Sequence, residues 1–428
     1  MNKPLLYRFS LGEFVKAMQM CALAPHDFAP RLVTWAIGFI QTLRRSLLLS
    51  LCLGVLSAPS ALAEERPMAQ SGRPNTAVGR YQRPQLRLRG DYEPNNLLLL
   101  VWQPEWEETV KQVALAAAKE IPVQVLIPRG VWTASRSFRA WAKSQCVDIA
   151  FHRYDTAWIR DYGPVQVMEG EHVTWRDFAY DAERPKDDFL PSTLASNYNV
   201  PVQLAAGRLD GGGLVSNGQG LCVMTDASVE ELGLPTDDIT EMQRFLDELG
   251  CRVLATIGAL PEEQTGHADV SVQFLGHDLV AIASMDPYDA PEQAELLDAA
   301  VHRIKRAGRR IGVELRVLRV PMMHRGEVFY SYVNAVRAGS SLLVPSYQDV
   351  PWSMEDAAFA AYRAALPELR VVPIASDEVV EYGGALHCIT LGLNIPQEAK
   401  KKANCGSVKL ARKRIQRKAT PRKRLRRL

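Results

Sequence analysis

From Leu97 onward the chain alternates short apolar runs with stretches in which apolar residues return every three or four positions, the periods of strand and helix. The pattern predicts strands at 97–102, 123–127 and 148–152, with helices at 107–119 and 134–144 between them. Further on it predicts strands at 253–257, 269–274 and 279–284, a long helix at 291–307, and a strand at 314–320. Strands at 341–345 and 370–373 flank a helix at 354–366. Near the end Ile389, Leu391, Leu393 and Ile395 alternate as one buried face of a strand. Leu214-Val215 and 221–224 bracket Asn217-Gly218, a pair suited to a tight hairpin turn. Strand–helix–strand units recur about four or five times, so the fold class is mixed α/β.

Ahead of this body the pattern changes. Arg44-Arg45 precede an apolar run at 47–56, small residues, and Ala61-Leu62-Ala63, the order of a bacterial export signal with cleavage after Ala63. Read uncleaved, 46–63 is about 18 residues, near the lower limit for a membrane anchor. The expected destination is therefore periplasmic or extracellular. Residues 64–95 are polar and dotted with Pro and Gly, which predicts a linker or weakly ordered arm, with order beginning at Leu97. The main domain then spans 96–397. The remainder, 398–428, is a basic tail expected to be disordered, with binding of an acidic surface or polymer as the alternative.

Charge follows the same division. Fourteen Lys and Arg fall in 400–428, and six basic and two acidic residues in 1–63, so 64–399 holds 46 acids against 31 bases, near −15. Such a body suits a cationic substrate better than nucleic acid. The seven Cys show no CxxC pair and no zinc spacing, and their number past the leader is odd, leaving at least one thiol free in a monomer.

Four stretches carry candidate chemistry. Gly383-Gly384-Ala385-Leu386-His387-Cys388-Ile389-Thr390 puts a thiol at the start of an expected strand, behind two glycines that allow close backbone approach. Asp155-Thr156-Ala157-Trp158-Ile159-Arg160-Asp161-Tyr162-Gly163-Pro164 offers an aromatic face and an anion on a loop, the means of holding a cation. In Gly266-His267-Ala268-Asp269, a strand would project His267 and Asp269 from one face, roughly 6–7 Å apart. The imidazole could then trade protons beside a carboxylate that holds positive charge; a metal pair is the competing reading, without an HExxH or Cys-rich partner. Asp210-Gly211-Gly212-Gly213 is neither a P-loop nor GxGxxG, and it lets a ligand lie against main chain.

Taken in chain order, from Trp158-Ile159-Arg160-Asp161 through Asp210-Gly211-Gly212 and Gly266-His267-Ala268-Asp269 to 383–390, the four stretches resemble the guanidine-modifying enzymes of pentein fold, in the branch of agmatine deiminases and bacterial peptidylarginine deiminases. The resemblance spans about 95–395 and implies a pentein-type α/β propeller of about five ββαβ units around a central active site. It implies Cys388 as nucleophile, His267 as general acid/base, and Asp161 and Asp269 as the carboxylates that hold a guanidinium. It further implies substrate contacts from Trp158, from Asp210 and Gly212 in the glycine hairpin, and from Asn334 in Ser331-Tyr332-Val333-Asn334. The stretch 177–188 is nearer the peptidylarginine branch, where two arginines grip a terminal carboxylate; Arg184 is retained here and Ala182 takes the other place. Asn217 stands where the agmatine branch commonly has an acid.

The residues also support the mechanism directly. A guanidinium is a poor electrophile, so two carboxylates must orient it while a thiolate attacks its central carbon. The expected reaction releases ammonia and a ureido product through a thiouronium, with no metal or organic cofactor. The expected substrate is peptidyl or free arginine, a guanidino small molecule or an arginine-containing peptide. Alternatives are agmatine deimination to N-carbamoylputrescine, amidino transfer to an amine, and a non-enzymatic nucleic-acid- or ribosome-binding role. His387 is not expected to be the base, because neighbours on a strand face opposite ways.

Overall fold

The computed structural model describes residues 86–234 and 239–396. The export signal, residues 64–85 of the arm and the basic tail lie outside the described residues.

The described chain begins with β1 (Leu86–Leu88), β2 (Leu97–Val101), α1 (Glu107–Ala117), β3 (Val123–Pro128), α2 (Arg136–Gln145) and β4 (Asp148–His152). A single helical turn, α3 (Ile159–Tyr162), leads to β5 (Val165–Glu169), β6 (His172–Ala179), α4 (Pro185–Asp188), α5 (Leu190–Tyr198) and β7 (Val202–Arg208). Next come β8 (Leu214–Ser216), β9 (Leu221–Thr225), α6 (Asp226–Glu231), α7 (Ile239–Leu249) and β10 (Val253–Ile257). They are followed by β11 (Val272–Phe274), β12 (Leu279–Ser284), α8 (Pro291–Arg310), β13 (Arg316–Arg325) and β14 (Val328–Ser331). The last group is β15 (Val336–Ala338), β16 (Ser341–Ser346), α9 (Trp352–Ala365), β17 (Arg370–Ala375), α10 (Asp377–Val380) and β18 (Thr390–Leu393).

One plan recurs in the five sheets of the described residues: an antiparallel pair, a helical crossover, and a third strand parallel to the second. The antiparallel pairs are β5–β6, β8–β9, β11–β12, β15–β16 and β18–β2. Their parallel third strands are β7, β10, β13, β17 and β3. The recurring unit is thus ββαβ, and the last sheet unites both ends of the domain, with Thr390 opposite Leu100.

Local sequence explains these elements. All five residues of β2 are buried, as a strand flanked on both sides and covered on both faces requires. Helix α8 opens with Pro291, buries Leu297, Ala300, Ile304 and Ala307 as one stripe, and ends on Arg309 and Arg310 beside its free carbonyls.

The structure departs from the expectations in two places and adds one disulfide. Order begins before Leu97: β1 pairs with β5, and Arg87 bonds both oxygens of Glu93, so residues 86–93 belong to the domain rather than to an arm. Residues 269–274 are not one strand, because Ser271 N–H donates to Ala268 C=O and closes a 3₁₀ turn over Ala268–Val270. Cys222 on β9 and Cys251 just before β10 form a buried disulfide, with Cα atoms 5.8 Å apart, closing the α6–α7 crossover.

Candidate active site

The segment entering the first strand of each ββαβ unit delivers a candidate residue to the site. Asp161 lies on α3 before β5, Asp210 and Gly212 before β8, and His267 and Asp269 before β11. Asn334 precedes β15, and Cys388 precedes β18. All seven are buried or nearly so.

Gly212 marks the common centre. A Cβ there would lie 2.7 Å from His267 Nδ1, 2.8 Å from Asp161 Oδ1 and 3.2 Å from Asp269 Oδ1, so these three groups face one small volume that glycine leaves open. The Gly212 N–H donates to Asp161 Oδ1 at 3.2 Å. His267 sits between two acids, Nδ1 3.6 Å from Asp161 Oδ1 and Nε2 3.6 Å from Asp210 Oδ2. One oxygen each of Asp269 and Asp210 (Oδ1) is buried with no hydrogen-bond partner among the described residues. An unpaired buried acceptor is costly, and a guanidinium N–H would satisfy it.

The thiol adjoins this group. Cys388 Sγ is 3.9 Å from Asp269 Oδ2, and Asn334 Nδ2 donates toward it at 3.3 Å. The His387 backbone N–H donates to Asn334 Oδ1 at 2.9 Å and fixes that amide. Trp158 reaches the same place from α3's leading loop: a Cβ on Gly384 would meet Trp158 Cζ3 at 2.7 Å and Cys388 Cβ at 3.1 Å. Trp106 backs Trp158, with ring centroids 5.4 Å apart.

Burial and crowding of like charge govern protonation. Burial, with help from Asp269 and Asp210, raises the Asp161 carboxyl to about 7, partly opposed by His267. Burial disfavours charge on His267 too, yet Asp161, Asp210 and Asp269 outweigh it and hold the imidazole at about 10. The ring is therefore a cation at neutral pH. Burial, then Asp269 and Asp161, push the Cys388 thiol well above its ordinary value.

Asp210, Glu231 and His267 bring potential metal-ligand atoms within 4.8 Å of one another. Of these, Glu231 is exposed, and His267 is the imidazole that Asp161, Asp210 and Asp269 surround.

The geometry unites Cys388, His267, Asp161, Asp269, Asp210, Gly212, Asn334 and Trp158. It leaves Arg184 outside that cluster: its guanidinium is half-exposed, with Nε 3.4 Å from Asp181 and Nη1 donating to Tyr180 Oη at 3.0 Å. The strand argument against His387 fails, because Leu386–Ile389 form a turn and the strand starts at Thr390. Freed from strand alternation, His387 Nδ1 reaches Asp269 Oδ2 at 2.6 Å. Asp91, in the segment expected to be an arm, contacts its other nitrogen at 3.2 Å. Sequence reasoning assigned no role to Asp91; its Asp-Tyr-Glu surroundings carry no recognisable signal.

A sulfur, a charged imidazole and paired carboxylates on a repeated ββαβ frame define a guanidine-modifying hydrolase of pentein fold. Residues 88–393 match the Porphyromonas-type peptidyl-arginine deiminase family, and the chain belongs to that family. It is 23% identical over 351 residues to a provisionally named agmatine deiminase of Vibrio parahaemolyticus, covering 70% of this chain and 94% of that one. Among solved structures it resembles the agmatine deiminase of Enterococcus faecalis, at TM-score 0.63 and 20% identity over 74% of this chain and 98% of the other. It also resembles a provisionally assigned arginine deiminase of Porphyromonas gingivalis, at TM-score 0.62 and 21% identity over 72% and 97%. The protein is an enzyme, a deiminase that hydrolyses the C–N bond of a guanidino group.

Proposed function

We propose that the protein is an exported deiminase acting on peptidyl or free arginine, with Cys388 as nucleophile and His267 as acid and then base. The carrying observation is the volume in front of Gly212, which Asp161, Asp269 and His267 all face. A guanidinium there donates paired hydrogen bonds to the two carboxylates while its carbon is presented to Sγ. Its positive charge offsets the acids that oppose ionisation of Cys388, so in the complex the thiol gives its proton to solvent water and the thiolate forms. A C–S bond then forms, His267 gives its proton to the departing nitrogen, the C–N bond breaks, and ammonia leaves a thiouronium. Neutral His267 next takes a proton from water, whose oxygen bonds to the same carbon. The C–S bond breaks as the intermediate's hydroxyl proton passes to the sulfur, releasing the ureido product and the Cys388 thiol.

Export is supported by the leader's charge, apolar and small-residue order, and by the Cys222–Cys251 disulfide, a bond that persists in oxidising compartments. A second reading, agmatine as substrate, is favoured by Glu263 and Glu327, which line a cleft together with Asn334 and Gly384 and would suit an amine at the far end of the substrate. Ammonia and ureido-product assays on the purified protein with agmatine, arginine, and peptides carrying internal or C-terminal Arg separate the two. Preferred turnover of arginine or its peptides is the expected result, and selective turnover of agmatine overturns it. Cys388→Ala should abolish ammonia release with the fold intact; retained activity would reassign the nucleophile.

A further inference from the structure

His387 is a buried ionisable group that the reaction above does not use. It is 3% exposed, and each ring nitrogen faces a carboxylate: Nδ1 at 2.6 Å from Asp269 Oδ2, Nε2 at 3.2 Å from Asp91 Oδ2. A neutral imidazole can donate from one nitrogen alone, whereas the cation donates from both. Arg160 Nη1 takes the second oxygen of Asp91 at 3.1 Å. Arg160, Asp91, His387 and Asp269 thus form a row of alternating charge that ends 3.9 Å from the Cys388 sulfur.

We propose that His387 is a positioning residue, a cation clamped between Asp91 and Asp269 that aims Asp269 at the substrate and offsets its charge beside Cys388. The orientation follows from the division of labour on Asp269. His387 occupies Oδ2, while Oδ1 is buried without a partner and faces the volume in front of Gly212. Without the imidazolium, Asp269 would be free to turn, and its full charge would stand beside the sulfur.

The surrounding groups agree with a cation. Burial and Arg160 oppose charge on His387, but Asp91 and Asp269 outweigh them and hold it above the ordinary imidazole value. On the remaining sides the residue meets Asn334 Oδ1 at its backbone N–H and Cys388 as its chain neighbour. Asp91 in turn is held far below the ordinary carboxyl range against the cost of burial, by Arg160 and His387.

This inference deepens the proposed reaction and rests on the reading of Asp269 as a substrate carboxylate, so its main test avoids turnover. In the full chain, site-specific alkylation of Cys388 by iodoacetamide would be followed between about pH 6 and 9.5 for wild type, His387→Gln and Asp91→Asn. Removing the imidazolium leaves the full charge of Asp269 3.9 Å from the sulfur, and an unoffset like charge that near shifts an ionisation by about one unit or more, so His387→Gln should alkylate about tenfold slower at any one pH. Its log-rate line should be displaced toward higher pH, with Asp91→Asn displaced the same way by less. In guanidine turnover KM should rise as well, because Asp269 is no longer held. Alkylation lines for both variants that coincide with wild type overturn the proposal, even if turnover falls, because packing alone would then explain the loss. If His387→Gln does not fold by circular dichroism, Asp91→Asn, whose side chain is partly exposed, decides the question alone. Displaced alkylation in an enzyme that deiminates no guanidine would leave this inference standing and remove the proposed substrate.

Discussion

Asp161 Oδ1 and His267 Nδ1 stand 3.6 Å apart inside a buried cluster that also contains Asp210 and Asp269. Burial, and then Asp269 and Asp210, raise the Asp161 carboxyl to about 7, while the same acids outweigh burial at His267 and keep it charged to about 10. The His267 imidazole is thus protonated at neutral pH, as the proposed reaction requires of its acid. The Asp161 carboxyl is only part ionised there until a cation arrives.

A pH dependence follows from that assignment. Below about pH 7 Asp161 in the free enzyme binds a proton and can no longer accept both guanidinium hydrogen bonds, so kcat/KM should fall about tenfold per pH unit on the acid side. The inhibition constant of an unreactive guanidinium should weaken along the same limb. Asp161→Asn should bind that inhibitor weakly and without the limb near 7. An unchanged limb in the variant would move the titration to another group.

Gly212→Ala tests the shared volume without altering any charge. The added methyl would meet His267 Nδ1, Asp161 Oδ1 and Asp269 Oδ1 at 2.7, 2.8 and 3.2 Å, none of which can move without leaving the site. Displacements near 1 Å from reacting geometry cost about 100-fold, so kcat/KM should fall by at least about that factor while the denaturation midpoint changes little. Measured side by side, the two quantities separate a blocked site from a damaged fold.

Much of this arrangement was legible because the chemistry itself restricts residue types. Cys388, His267, Asp161 and Asp269 stand out as a thiol, an imidazole and two acids in glycine- or aromatic-marked segments, and the ββαβ frame brings them together. Strands 148–152, 253–257 and 279–284 were readable to the residue, since each is a compact apolar run between turn signals. The surroundings of His387 were not legible because a four-residue turn replaces strand alternation just before Thr390, and its partners Asp91 and Asp269 come from segments distant in sequence. The Cys222–Cys251 pair spans a crossover of 29 residues and leaves no local spacing to read. Strand β1 is short and alternates Leu with Arg, so its edge position on β5 is set by pairing rather than by propensity.

The disulfide should contribute to stability and little to catalysis. Closing a loop with sequence separation 29 restricts the unfolded chain by about 3–4 kcal/mol in the loop-entropy account. Both sulfurs lie in the core beneath β9, among Leu214, Met224, Phe245 and Leu249. Cys222→Ala/Cys251→Ala, or reduction of the wild type, should lower unfolding free energy by about that amount in a denaturant titration. Turnover of the folded protein at 25 °C should remain within about twofold of wild type. A loss of activity larger than the loss of folded protein would connect the bond to the site.

Asp187 should matter to catalysis without touching substrate. It is fully buried on α4 and accepts hydrogen bonds from Asp155 N–H at 2.7 Å, Thr156 N–H at 3.0 Å and Thr156 Oγ1 at 2.8 Å. These bonds hold the loop two residues before Trp158, and Tyr162 Oη closes it from the other side by donating to Thr156 C=O at 2.9 Å. Bonds to a charged acceptor are worth about 1.5–3 kcal/mol each, so Asp187→Ala should destabilise the fold by about 3 kcal/mol or more and leave the loop amides unpaired. Asp187→Asn keeps one good acceptor and should cost less. With Trp158 no longer fixed beside Cys388, KM for a guanidine should rise in both variants, more in Asp187→Ala, while the rate of Cys388 alkylation stays near wild type. If KM is unchanged in the folded fraction of Asp187→Ala, the Trp158 loop is held by its packing on Trp106 and not by this carboxylate.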